Sequence, residues 1–189
     1  MILLFACATE PELVCEELTQ DGSPSGIEYC SGRGGELNRV EAVACTSDPR
    51  ENVGACDQSD EGSACSEDGD CGEGSICGRD DWDGIGCECF RVCETDADCE
   101  PDEACVCAAS AGDVSTRVWN TCLPADCRTG ADCESGTCGV SLDLCGWAAA
   151  ALACRSDADE CAAVGDCEDA DLCILADGAW SCEEQATCD

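Results

Sequence analysis

Four stretches of the chain read alike: CSEDGDCGEGSIC at residues 65–77, CETDADCEPDEAC at 93–105, CRTGADCESGTC at 127–138 and CAAVGDCEDADLC at 161–173. Each opens C-x5-C and reaches a third cysteine after five intervening residues, or four in the third stretch. An aspartate stands immediately before the second cysteine every time, at Asp70, Asp98, Asp132 and Asp166. The starts lie 28, 34 and 34 residues apart, the spacing of a repeated supersecondary unit. Two more cysteines follow in each unit: Cys87 and Cys89, Cys107 and Cys122, Cys145 and Cys154, Cys182 and Cys188.

Borders drawn before each C-x5-C give cysteine repeats at 65–92, 93–126, 127–160 and 161–189, each with five cysteines. Residues 7–57 form an amino-terminal module in which Cys15, Cys30, Cys45 and Cys56 are available for two internal bridges, and 58–64 is a linker. An odd number per repeat means that at least one cysteine of each must bond outside its unit. The simplest arrangement joins repeat one with two and three with four, with Arg91 and Arg155 as trypsin sites at the two joins.

Cysteine supplies 25 of 189 residues, whereas Leu, Ile, Val and Phe together supply only about 15%. Apolar burial alone cannot offset the chain entropy, so disulfides, each worth ~2 to 4 kcal/mol, are the expected staples. Cys65, Cys71, Cys77, Cys93, Cys99, Cys105, Cys127, Cys133, Cys138, Cys161, Cys167 and Cys173 are assigned to them with the others named above. The expected fold is a small disulfide-rich repeat protein, mostly turns and irregular structure with short β-hairpins and one or two short helices. Thr9 to about Leu18 has capping-box spacing and reads as a helix carrying Cys15. Val40 to Cys45 reads as a strand, and Trp147 to Ala153 (WAAAALA) as a helical insertion.

The net charge is −35, from 43 acidic residues and eight basic ones, all arginine. Such a chain repels nucleic-acid phosphates and anionic headgroups and leaves cationic partners open. The opening MILLFACATE is too short for a complete signal or a membrane span. Leu4-Phe5-Ala6-Cys7 stands where a bacterial lipobox ends, so residues 1–6 are read as the remnant of an export signal whose true start lies upstream. Cys7 is then the lipidation site and the only membrane contact, and 24 cysteines remain to pair. The competing reading makes Cys7 an ordinary half-cystine behind a cleaved signal.

The C-x5-C-x-x-G-x-x-C pattern with its aspartate resembles the amino-terminal cysteine-rich domain of the Dickkopf family. The third repeat departs by one residue, and Asp102 replaces the glycine in the second. The whole chain also resembles cysteine-rich surface lipoproteins of gliding, social bacteria. The resemblance implies an exported binding or structural module, and it implies no particular partner.

Histidine is absent, and with it the usual catalytic triads and Cys2His2 zinc sites. No C-x2-C supports a redox, zinc-ribbon or iron–sulfur motif. Catalysis is not expected. The C-x-C pairs Cys87/Cys89 and Cys105/Cys107 invite a metal-thiolate reading, but extended geometry favours pairing of each cysteine elsewhere. No cofactor is expected beyond weak calcium, for which Asp80, Asp81 and Asp83 and the pairs Asp68/Asp70, Asp96/Asp98 and Asp157/Asp159 offer oxygen ligands. Solvated acidic turns are the competing reading. One tryptophan falls in each repeat, Trp82, Trp119, Trp147 and Trp180, either as a small core over the disulfides or as a row of exposed aromatics for a ligand. The function expected is a non-enzymatic, secreted or outer-surface module with an extracellular protein or glycan partner. A calcium-dependent acidic coat component and an inhibitor of a secreted hydrolase, with Ala108 to Asn120 as its longest loop, are the alternatives.

Overall fold

A computed structural model describes residues 14–31, 35–46, 56, 63–78, 87–111, 114–116, 119–146, 148–167 and 171–186. Cys7, Trp82, Trp147, Cys188 and the acidic run at 80–83 lie outside the described residues.

The amino-terminal segment is a meander of three antiparallel strands: β1 (Cys15–Gln20), β2 (Ser23–Cys30) and β3 (Glu36–Arg39). Asp21 and Gly22 join the first two, with φ of 50° and 80°, the left-handed pair that an Asp-Gly hairpin turn requires. The helix expected to run to Leu18 is therefore replaced by strand from Cys15 onward. Leu18 and Gln20 are buried while Glu17 and Thr19 are exposed, so the burial period is two. The strand expected at Val40 to Cys45 is also misplaced. The ladder ends at Arg39, and the amides of both Val40 and Glu41 turn back to the Gly26 carbonyl. Gly26 has φ +72°, and a Cβ there would run into the Glu41 carbonyl.

Each repeat is one 3-10 turn followed by a hairpin. The turns are Asp68–Asp70, Asp96–Asp98, Gly130–Asp132 and Val164–Asp166. The hairpins pair β4 (Ser75–Gly78) with β5 (Glu88–Arg91), β6 (Glu103–Val106) with β9 (Thr121–Pro124), β10 (Cys138–Leu142) with β11 (Ala149–Cys154), and β12 (Asp171–Ala176) with β13 (Ala179–Glu184). A small hairpin, β7 (Ser110–Ala111) with β8 (Val114–Ser115), fills the long loop of the second repeat. The alanine-rich stretch expected to be helical thus forms β11. Alanine's helix preference amounts to tenths of a kcal/mol per residue and a segment this short cannot nucleate, whereas Ala149, Leu152 and Ala153 are buried only as strand.

The meander joins the repeats. Single pairs, Gly139↔Asn38 and Thr19↔Ser110, extend it into a seven-stranded sheet of order β11-β10-β3-β2-β1-β7-β8. Leu18, Ile27 and Leu37 from the meander, Ala104, Val106 and Leu123 from the second repeat, and Val140, Ala149 and Leu152 from the third share one core. The few aliphatic residues are concentrated there. The first repeat and the fourth instead gather around their own cystines.

Candidate functional site

Eleven disulfides join 22 of the described cysteines, and the repeats share one bonding rule. The first cysteine of each unit bonds the third: Cys65–Cys77, Cys93–Cys105, Cys127–Cys138 and Cys161–Cys173. The second bonds the cysteine on the returning strand: Cys71–Cys89, Cys99–Cys122, Cys133–Cys154 and Cys167–Cys182. The two strand cysteines of a hairpin face each other in register, as Cys105 faces Cys122, yet each reaches back to the loop before the hairpin. Two crossed bonds thereby clamp the 3-10 turn onto its hairpin.

The aspartate before the second cysteine closes that clamp. Asp98 Oδ2 accepts the amides of Glu94 and Thr95 at 3.0 and 2.8 Å and the Thr95 hydroxyl at 3.2 Å. Asp70 accepts the amides of Ser66 and Glu67, Asp132 those of Arg128 and Thr129, and Asp166 those of Ala162 and Ala163. The backbone amides of Ser66, Thr95 and Thr129, foremost, hold the carboxyls of Asp70, Asp98 and Asp132 below the usual range. Asp68 and Asp96 add a second tie, accepting the amides of Cys77 and Cys105. The sequence displayed these aspartates at a fixed place without disclosing what they bind. The third repeat's missing residue has its counterpart at Gly130, where a Cβ would strike the Gly136 carbonyl of the shortened loop.

The fifth cysteines correct the expected pairing. Cys87 bonds Cys56 and Cys107 bonds Cys45, so repeats one and two are each stapled to the amino-terminal segment and not to one another. That segment keeps one internal bridge, Cys15–Cys30, in place of two. The C-x-C cysteines all pair elsewhere, as extended geometry requires. Triplets of sulfurs such as Cys65, Cys71 and Cys77 do lie within 4.8 Å of one another, but they are bonded sulfurs with no thiolate to offer a metal. Cys145 is also disulfide-bonded, to a partner outside the described residues.

The tryptophans that can be placed are interior. Trp119 is 4% exposed and lies against Phe90, ring centroids 4.5 Å apart. Trp180 is 1% exposed and packs with Cys161 and Cys173. A row of exposed aromatics is thus corrected at both positions. Burial of an indole over cystines offsets the shortage of aliphatic side chains. Trp180 Nε1 donates to the Cys154 carbonyl, and the Arg155 guanidinium sits 3.6 Å from the ring centroid. Gly139 is fixed by this stack, because a Cβ would come within 2.7 Å of both Trp180 and Arg155.

Arg39, 2% exposed, is the other buried cation among the described residues; its Nη2 donates to Asp96 Oδ1 at 2.8 Å and ties the meander to the second repeat's turn. Beside Arg155, a shallow cavity of about 380 Å³ is rimmed by Asp157, Asp159, Glu160 and Asp166. Asp159 is engaged there with the Ser156 amide and hydroxyl. The long loop of the second repeat is pinned at its base: Asn120 Oδ1 accepts from Gln20 Nε2 and the Ala108 amide, and Thr116 Oγ1 donates to the Cys107 carbonyl.

No family model matches the chain, and no curated protein or solved structure is significantly similar to it. The fold and its bonding define a small, heavily disulfide-bonded domain of short antiparallel hairpins. Among the described residues no helix is long and apolar enough to cross a membrane.

Proposed function

We propose that this chain is an exported, non-enzymatic binding and structural module, held at a cell surface through Cys7 or released, whose partner is an extracellular protein or glycan presenting positive charge. The crossed two-disulfide clamp repeated four times is the observation that carries this reading. Cystines in such number form and persist in oxidising compartments, and a chain poor in aliphatic residues depends on them. The charge of −35 favours cationic partners and opposes nucleic acid and anionic lipid. The lack of histidine and the engagement of the repeat aspartates in backbone capping both support a scaffold over a catalyst.

Intact mass of the chain from its native source, with and without alkylation, tests the proposal. The expected result is no alkylatable thiol before reduction, together with a lipid increment on the peptide of Cys7 or a mature end beyond it. A folded protein with most cysteines free would overturn it.

A further inference from the structure

Among the described bridges, one differs in kind from the other ten. Cys15 and Cys30 are direct partners in the β1–β2 ladder and are bonded to each other. In all four repeat hairpins the facing cysteines, such as Cys77 and Cys89, are bonded elsewhere. The Cys15–Cys30 backbones are consequently drawn to a Cα separation of 3.9 Å, whereas the other ten described bridges span 5.3 to 5.9 Å. The usual range begins at about 4.4 Å. Cys15 is also exposed, while Cys30 is buried. Neither belongs to the cystine clusters that shield the bonds of the repeats.

Opening this bond leaves the surrounding structure tied. The pairs Glu16↔Tyr29 and Glu17↔Glu28 continue the ladder, Leu18 stays in the core, and the Ser31 amide still donates to the Val14 carbonyl. The crossed bonds of the repeats differ, since they tie each 3-10 turn to its hairpin and do not merely reinforce strands already paired in a ladder.

We propose that Cys15–Cys30 is a thiol-exchange site that accepts a small thiol as a mixed disulfide at Cys15. The thiolate attacks the Cys15 sulfur, a new S–S bond forms to the incoming thiol, the Cys15–Cys30 bond breaks, and Cys30 leaves as thiolate and takes a proton from water. No net oxidation occurs, and the thiol is the only co-reactant. Glu17 and Glu28, two residues along each strand, share the face of Cys15 and Cys30 on a chain of charge −35, so a cationic thiol is favoured over an anionic one.

The test treats the folded, fully oxidised chain with cysteamine, or with mercaptoethanesulfonate at equal thiolate concentration, and traps free thiols with iodoacetamide for peptide mapping. The expected first product carries cysteamine on Cys15 and the alkyl group on Cys30, forms on the order of tenfold faster than opening of any other bond, and still melts cooperatively. Mercaptoethanesulfonate is slower, with a difference that shrinks in high salt. First labelling at another pair, release of all thiols together, or loss of cooperative melting on opening this bond would each overturn the proposal. The C15S/C30S variant should fold and lack the fast phase; failure to fold refutes the claim that the ladder survives without the bond.

Discussion

Replacing Cys45 and Cys107 together by alanine removes the staple between the amino-terminal segment and the second repeat. The bond closes a separation of 62 residues, but other bridges shorten the path. It runs eleven residues from Cys45 to Cys56, crosses to Cys87, runs six to Cys93, crosses to Cys105 and ends two residues on. Restricting a loop of roughly twenty residues stabilises by about 3 kcal/mol, against about 4 for a free loop of the full separation. The Cys45 sulfur also packs 3.6 Å from that of Cys105, so alanine forfeits contacts as well. Guanidinium titration without reductant, followed by tryptophan fluorescence, should show a loss of about 3 kcal/mol or slightly more. A loss below about 1 kcal/mol would mean that this bond adds little to the network of bridges around it, and the reasoning would fail.

Gly139→Ala should cost about 1 to 3 kcal/mol, because its methyl group must displace Trp180 or Arg155; near-ultraviolet circular dichroism of the indole reports it, and an unchanged signal with unchanged stability would refute the stack. The lowered carboxyls of Asp70, Asp98 and Asp132 contribute stability that is present above their ordinary value of 3.8 and is lost as pH falls below it through the folded values. The difference in melting temperature between wild type and D98N, in which the global charge effect largely cancels, should therefore hold steady above about pH 4 and close below it; a pH-independent gap would sink the capping role. Gln185 Nε2 donates to the Cys145 carbonyl and the Ala186 amide to that of Leu144, two residues short of Cys188. The expected joining of repeats three and four means that tryptic peptides cut at Arg155 should stay linked until reduced. Because Arg155 is only 8% exposed, that digest needs denaturant.

The cysteine spacing determined the class of protein, the repeat and the preponderance of short hairpins, because each C-x5-C with its aspartate encodes a local clamp whose partners lie within about two dozen residues. It also placed the C-x-C cysteines in separate bonds, since an extended strand points neighbours two apart to the same side at too great a distance. Three things needed the tertiary structure. The fifth cysteines had equal partners in any neighbouring unit by parity, and only the tertiary structure, which sets Cys56 and Cys45 of the amino-terminal segment against the cystine clusters of repeats one and two, sent them to Cys87 and Cys107. The alanine run and the segment after Cys15 have local preferences of tenths of a kcal/mol, which burial of Leu152 and Leu18 in a shared core reversed into strand. The tryptophans were periodic in sequence, but whether they faced solvent or cystine depended on contacts such as Trp119 with Phe90 and Trp180 with Arg155, which join residues about 25 or more positions apart and leave no local signature.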